Sequence, residues 1–489
     1  MPASIDVSRS HIALGINSNS QLPGHIAVYE RLGGSPVNLR RVFSMQICTG
    51  PGEVLFNPAG DAIVIMCEGE FDPVDPVNNP DGAVGVMRLN ATSGRWTAPV
   101  FVPYTGALGT QGLRGISSMT EEALRRDMEP EFGDFGSDGD TCYIVFQENN
   151  VMGVLSVERA SFLRWFSFGI LPSSPFDGSD RDGAINIQSW PVDFILAPDT
   201  VRVAVIDGED YLVLTNEGDS RESEQARVKD LVLDTTVFSL TLQKDDKIGR
   251  LLVSSVPAEA DLNNDGKVDR LAAYGGRSIS IFSPAGELLW DSAATINFEF
   301  LLAHRLRDMH NSDRDGSPLS ADDRSPDQGP EPDSLALGVV DGRHYAFVGL
   351  ERAGGIVAID ITNPRDGKFA AYTRYNLEIA PERTDFVPKE ETTAGVDLLV
   401  STGERSAASN VYFVERINSE RGATTGGARG RGDNQGDDGN GIDRLSDGEV
   451  AAVGVLVGLG CLLAGVLIGS AFGARRQPEK SVHGLESTA

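Results

Sequence analysis

Apolar residues fall in short runs through residues 1–417, many of them alternating with polar positions and bounded by Gly, Pro, Asp and Asn. Runs of this length and period predict β-strands joined by turns rather than long helices. They group into a recurring unit: a β-rich run, a turn with an acidic or small residue, then a second β-rich run. Seven units are read, at 11–30, 62–89, 142–157, 210–242, 270–283, 345–360 and 397–416. In five of them a glutamate follows the first run: Glu68, Glu148, Glu217, Glu351 and Glu404. Asn17 and Gly276 take that place in the other two. Short strands repeated between large loops predict an all-β fold, a seven-bladed β-propeller over 1–417, whose closure limits exposed edges. The first unit begins close to Met1, with little room for an inner strand before it. No basic segment and apolar core of a signal peptide precede it, so the chain is expected to lack its natural beginning.

The pattern changes after the last unit. Residues 418–449 are rich in Gly and Asp without apolar periodicity, which predicts a flexible stalk. Residues 450–474 are an uninterrupted, charge-free apolar run. As a helix it would be ~37 Å long, enough to cross a membrane once. Arg475, Arg476 and Lys480 follow it, whereas Arg444, Asp447 and Glu449 precede it. The positive-inside rule then makes 475–489 a short cytoplasmic tail and places the propeller outside the cytoplasm, at the cell surface or on another membrane. Gly454/Gly458 and Gly465/Gly469/Gly473 have the small-xxx-small spacing of a helix homodimer, although glycine is common in such helices anyway.

Charge narrows the partners. The chain has 71 Asp plus Glu against 42 Lys plus Arg, a net charge of −29, which excludes a nucleic-acid backbone binder. With 40% hydrophobic residues it has ample material for a core. Of the four cysteines, Cys48 and Cys67 end two neighbouring strand-like runs; they either pair across a sheet or act as separate small hydrophobes. Asn90, in Asn-Ala-Thr, is the one acceptable N-glycosylation sequon. Arg431-Gly432-Asp433 is a formal adhesion tripeptide, but chance explains it in so Gly-, Arg- and Asp-rich a stretch.

The acidic residues suggest calcium. Asp261, Asn263, Asp265, Lys267 (through its carbonyl) and Asp269 have the spacing of a loop that wraps one calcium ion with oxygens. Ala272 stands where a helical calcium hand has Glu, so a loop between two β-strands is expected. The same residues also suit a solvated Asp-Gly turn. Asp177, Asp180 and Asp182 are weaker candidates, as are Glu331 and Asp333 at the end of the acidic stretch 308–333. The five recurring glutamates would lie on one ring of a cyclic fold, where they must hold cations or protons, or else each stabilises its own turn. Neither a nucleophile elbow, nor a zinc-protease helix, nor a phosphate loop is present. His304 and His310 lie in a charged insertion and read as exposed and non-catalytic.

The segments MEPEF (128–132), VFQENN (145–150), DGSDRDGAINI (177–187), TNEGDSR (215–221), YGGRSISIF (274–282), GPEPD (329–333) and HYAFVGLERAGGIVAIDITNP (344–364) occur in order. Together they resemble the choice-of-anchor I family, which includes mesenchyme-specific cell-surface glycoproteins of biomineralising cells. The resemblance covers roughly residues 10–418. It implies a seven-bladed propeller held outside the cell by one of several anchors and, in the animal members, a link to calcium-mineral deposition. In GPEPD, Asp333 stands where the family tends to have Glu, a shorter ligand for a metal. Bacterial relatives carry phosphatase-like labels, but no nucleophile and base pair here supports catalysis. The expected protein is therefore a non-catalytic, calcium-binding glycoprotein that meets extracellular matrix or mineral. A calcium-dependent phosphatase or phytase-like hydrolase is the alternative, and a tail-anchored intracellular scaffold the second.

Overall fold

The structure is a computed structural model describing residues 2–18, 22–34, 38–69, 79–115, 120–172, 174–305, 307–313, 320–374, 380–403, 405–406, 408–417 and 452–453. Its architecture follows from strands that are apolar on both faces. Ala62–Cys67 (AIVIMC) is buried throughout. Alternate side chains leave a strand on opposite faces, and here Ile63 and Ile65 join one core layer while Val64 and Met66 join the next. Thr141–Phe146 divides likewise, with Ile144 and Phe146 on one side and Tyr143 and Val145 on the other. Such a strand must lie in a sheet stacked between two others.

Six antiparallel sheets are built this way, each from consecutive or near-consecutive strands. The first is Pro2–Val7, His11–Ile16, Pro23–Gly33 and Asn38–Thr49. The second is Pro51–Phe56, Ala62–Cys67 and Ala83–Asn90, with Arg95–Trp96 and Val100–Val102 both against the last. The third is Pro130–Phe135, Thr141–Phe146, Val151–Ser156 and Ser161–Ser167, and the fourth Val201–Ile206, Glu209–Thr215, Ile279–Phe282 and Leu288–Asp291. The fifth is Pro332–Val340, Arg343–Leu350, Ile356–Asp360 and Lys368–Thr373; the sixth is Pro381–Val387, Asp397–Gly403 and Ala408–Val414. First strands of successive sheets touch in order, and an apolar layer fills each gap from the first sheet to the sixth. Glu53 of the second sheet accepts hydrogen bonds from Ser4 Oγ of the first (3.1 Å) and Arg383 of the sixth (2.8 Å), which brings the ends of the ring together. The chain is mostly β and propeller-like.

A seventh sheet is of another kind. It joins Ile170–Leu171, Asp193–Ile195, Ala272–Tyr274, Leu252–Ser254 and Gln225–Arg227, and its Asp193–Ile195/Ala272–Tyr274 pair is parallel. The sequence units at 210–242 and 270–283 therefore do not form a blade each. Glu209–Thr215 pairs directly with Ile279–Phe282 in one sheet, and most of the residues between them form the insertion. Pro2–Val7 supplies an inner strand to the first sheet, although little sequence precedes the first unit.

Among the described residues no helix is long and apolar enough to cross a membrane. Of the apolar run 450–474 only Ala452–Val453 are described, paired with Arg416–Ile417. The rest of that run, Cys461, the stalk 418–449 and the tail 475–489 lie outside the described residues.

Cys48 and Cys67 form a disulfide with Cα atoms 6.0 Å apart. It links the last strand of the first sheet to the second strand of the second, so it joins two sheets rather than two strands of one. Cys142 is buried and free. For a sequence separation of 19 residues, loop entropy predicts that Cys67→Ser lowers stability by about 3 kcal/mol. The measurement is the urea midpoint under oxidising conditions; an unchanged midpoint would show that the bond contributes nothing.

Candidate functional site

Five of the six first strands begin with proline: Pro2, Pro51, Pro130, Pro332 and Pro381. Proline has no N–H to give to a ladder and so suits the first position of a strand. Directly after each proline the register slips, between Pro2 and Ser4, Pro51 and Glu53, Pro130 and Gly133, Pro332 and Leu335, and Pro381 and Arg383. A bulge of this kind re-aims side chains. The residues at or beside the slips include Glu53, Glu131, Asp333 and Glu382, and Pro198-Asp199 stands just ahead of the fourth sheet's first strand. Pro51 pairs with Cys67, Pro130 with Phe146 and Pro332 with Leu350. Glu68, Glu148 and Glu351 follow those partners within two residues, so both sets of acids lie at the same end of the sheets.

At this mouth two overlapping groups each bring three carboxylates within 4.8 Å of one another: Glu217, Glu331 and Glu351, and Asp333, Glu351 and Glu382. Glu351 belongs to both. Glu331, Asp333 and Glu351 are buried, and Glu217 and Glu382 half-buried. Glu331 has φ +49°, an uncommon left-handed conformation for a residue with a Cβ, and its carbonyl accepts the Glu351 N–H at 2.8 Å. That contact helps hold the two side chains together. Gln147 Nε2 donates to Glu217 at 2.6 Å.

The five acids are not electrostatically alike. Burial opposes the charge of Glu331, but Arg324 and Arg352 outweigh it and hold the carboxyl below its usual range. Burial, followed by the charges of Glu382, Asp199, Glu217 and Glu351, pushes Asp333 well above that range. Arg324 and Arg352 offset Glu331, and Arg352 lies 3.6 Å from Glu351, so it is the remaining like charges around Asp333 that require protons or a further cation. A donor set made only of oxygen fits a hard divalent cation such as calcium, which takes six to eight oxygens in flexible geometry.

Residues 1–364 match the family model described as the choice-of-anchor I domain. The chain belongs to the choice-of-anchor I domain family. Glu217, Glu331, Asp333 and Glu351 lie within the matched residues, and Glu382 just beyond them. A curated relative of the domain, Gigasin-3a of Magallana gigas, is 31% identical over 118 residues, 24% of this chain and 40% of that protein. The chain thus spans less than half the length of that relative. Among solved structures, a putative 6-phosphogluconolactonase from Bacteroides fragilis NCTC 9343 is 11% identical over 85% of this chain and 80% of its own, with a TM-score of 0.40. Kuenenia stuttgartiensis hydrazine synthase is 10% identical over 84% and 83%, TM-score 0.42. The β-propeller domain of Cps50 (Swd1) from Myceliophteria thermophila is 7% identical over 84% and 81%, TM-score 0.38. These likenesses are too distant to bear on activity.

The choice-of-anchor I domain unites some of the residues selected from sequence and separates others. Glu217, Glu351, Glu331 and Asp333 meet at the mouth. Glu68 packs against Gly52, where a Cβ would come within 2.1 Å of Glu68 Oε1, so a larger residue there would displace the carboxylate. Glu148 is buried beside the arginine network described below, and Glu404 lies outside the described residues. Gly276 precedes the third strand of the fourth sheet and so does not hold the position of the recurring glutamate.

The loop 261–269 is exposed for most of its length and leaves the one-turn helix Pro257–Ala260, not a strand. Its acids turn onto their own backbone: Asp261 accepts from Asp265 and Gly266 N–H (3.0 and 2.8 Å), Asp269 from Leu262 and Asn263 (2.9 and 3.2 Å). Lys267 Nζ lies 3.5 Å from Asp265. This loop is not among the places where three ligand groups converge. Asp180 is held by Arg250 at 2.8 Å, and Asp182 accepts from Ala184 and Asn186. Asn90 is exposed at a turn, its Oδ1 accepting from Thr92 and Ser93. His310, expected to be exposed, is completely buried.

Two of the buried arginines, Arg221 and Arg114, form one ion-pair network. Arg221 pairs with Glu129 (3.1 Å), Glu224 (3.4 Å) and Asp127 (3.6 Å). Arg114 pairs with Glu259 (2.6 Å) and Glu224 (2.8 Å) and donates to the Glu148 carbonyl at 2.8 Å. Burial disfavours each cation. Asp127, Glu129, Glu148 and Glu224 nevertheless raise the pKa of Arg221; that of Arg114 is raised by the Tyr274, Glu259 and Glu224 charges. The network fastens the insertion to the loops around the third sheet. Nothing local in the sequence distinguishes these arginines from surface ones, whereas proline followed by an acid at the start of several inner strands was a usable signal for Asp199, Glu131 and Glu382.

Proposed function

We propose that this chain is a membrane-anchored cell-surface protein whose propeller-like domain binds calcium at its mouth and serves in adhesion, matrix or mineral handling without catalysis. The observation that carries the reading is the convergence of Glu217, Glu331, Asp333, Glu351 and Glu382 from the fourth, fifth and sixth sheets. A calcium ion would offset the repulsion that burial intensifies there. The apolar run 450–474 with basic residues after it supports the anchor, and the exposed Asn90 sequon suits an outside location.

Calcium titration of the full-length chain in detergent, after chelation, tests the proposal. Saturable binding is expected; absence of binding at millimolar calcium would overturn it. The loop 261–269 is a second, weaker calcium site in this reading, so Asp265→Ala should remove one weak binding step and leave the tighter one. If calorimetry of Asp265→Ala superimposes on the parent, that loop is only a turn.

A further inference from the structure

Asp177, His310 and Asp322 form a third convergence of ligand groups, with one atom of each within 4.8 Å of the others. It shares no residue with the mouth cluster. Asp177 follows the third sheet; His310 and Asp322 lie in the segment between the fourth and fifth sheets that begins with the helix Phe298–Arg305.

His310 is the informative member. It is 0% exposed, and neither ring nitrogen makes a hydrogen bond among the described residues. A buried polar group left unsatisfied is destabilising, so such an imidazole calls for something to accept its electron pair. Its Nε2 lies 3.4 Å from Asp177 Oδ2. Two ligand atoms on one tetrahedral zinc, with bonds of about 2.0–2.2 Å, are about 3.3–3.5 Å apart.

The surroundings hold these groups in place. The Asp322 N–H donates to the His310 carbonyl at 2.7 Å, and Asp322 adopts φ +75°, an uncommon conformation for a residue with a Cβ. Ser325 Oγ donates to Asp322 Oδ1 at 2.5 Å, and the Asn186 N–H to Asp177 Oδ2 at 2.8 Å. Behind them, Arg277 pairs with Glu299 and donates to the carbonyls of Asp177 (2.8 Å) and Ser325 (2.8 Å). Glu299 accepts the Asp177 N–H at 2.7 Å, and Asn311 ties Glu299 to Ser325. Hydrogen-bonded outer partners of this kind are what fix ligands around a metal.

We propose that Asp177, His310 and Asp322 bind a divalent transition cation of the zinc or manganese type. One imidazole nitrogen with two carboxylate oxygens suits these ions, whereas calcium selects oxygen alone. Three protein ligands leave a coordination position open to water or to an anionic ligand.

The test uses the full-length chain, stripped by chelation, exposed to zinc or manganese chloride and then dialysed. About one equivalent should be retained per chain by elemental analysis. His310→Ala and Asp322→Asn should each weaken binding by at least about 100-fold, beyond what loss of an outer partner usually causes. Thermal unfolding without metal serves as the folding control for both variants. Cobalt(II) gives a reading on the parent alone, because nitrogen ligation in a protein site shifts its visible bands from those of the aqueous ion. Failure of the parent to retain either metal, an aqueous cobalt spectrum, or parental affinity in His310→Ala would each overturn the site. Calcium binding at the mouth is measured separately, so failure of one reading leaves the other standing.

Discussion

Arg221→Met is expected to destabilise the protein by about 3–5 kcal/mol, the cost of breaking a buried ion pair by removing one partner. Arg221 is 6% exposed and faces Asp127, Glu129 and Glu224, with one guanidinium nitrogen also on the Asp127 carbonyl at 2.5 Å. Methionine fills similar volume, so the effect isolates the lost charge and hydrogen bonds rather than a cavity. Three carboxylates would then share a buried site in which Arg114 already serves Glu224 and Glu259. Arg221→Lys should recover only part of the loss, because a single ammonium cannot reproduce the planar fork between Glu129 and Glu224. Adding Glu129→Gln to Arg221→Met should restore stability, since the pair is coupled. Urea unfolding reads all three variants. A change below about 1 kcal/mol for Arg221→Met would mean that water reaches the network and that it does not fasten the insertion.

Glu351→Gln is expected to lower calcium affinity at the mouth by at least about tenfold, equivalent to about 1.4 kcal/mol. It should do more than Asp333→Asn or Glu382→Gln, because Glu351 alone belongs to both carboxylate groups. Stability without calcium should move the opposite way, since removing one charge from a crowded, buried set relieves repulsion. Arg352 keeps a partner in this variant, because its Nε lies 2.5 Å from Glu331. Calorimetric titration measures the first effect and thermal unfolding in chelator the second. Unaltered affinity in Glu351→Gln would place calcium elsewhere. A uniform loss of stability with and without calcium would show that the cluster serves only to hold the sheets.

The strands were legible because their signal is local. Residues 62–67, 142–146 and 345–350 are continuous apolar runs, and a strand buried on both faces needs such a run. The recurrence of glutamate after these runs was also legible, whereas its position at one end of the sheets came from the strand register. Pairing was less legible. Glu209–Thr215 has its outer neighbour at Ile279–Phe282, beyond a long insertion, and nothing in either run names the other. The two sequence units at 210–242 and 270–283 therefore contribute to one sheet.

Charged residues were the hardest to place. His310 sits in a charged segment that reads as exposed, and nothing local marks Arg221 or Arg114, yet all three are buried. A run of acids and arginines has the same composition whether it faces water or is folded into the mouth of a ring, because the difference lies in which other segments cover it. The loop 261–269 shows the converse, with strong local spacing but a largely exposed position in which its acids accept hydrogen bonds from their own backbone.

By itself the sequence determined the strand-rich class, the family and the recurrence of a glutamate after successive β-rich runs. These rest on local periodicity, composition and motif order, each a property of neighbouring residues. Only the tertiary structure decided that Glu351 and Glu331 meet Asp333, Glu382 and Glu217, that Cys48 bonds to Cys67, and that His310 faces Asp177 and Asp322. Those contacts join residues far apart in the chain. Their cost in charge burial and their value as ligands exist only once the packing of the sheets has removed the water between them.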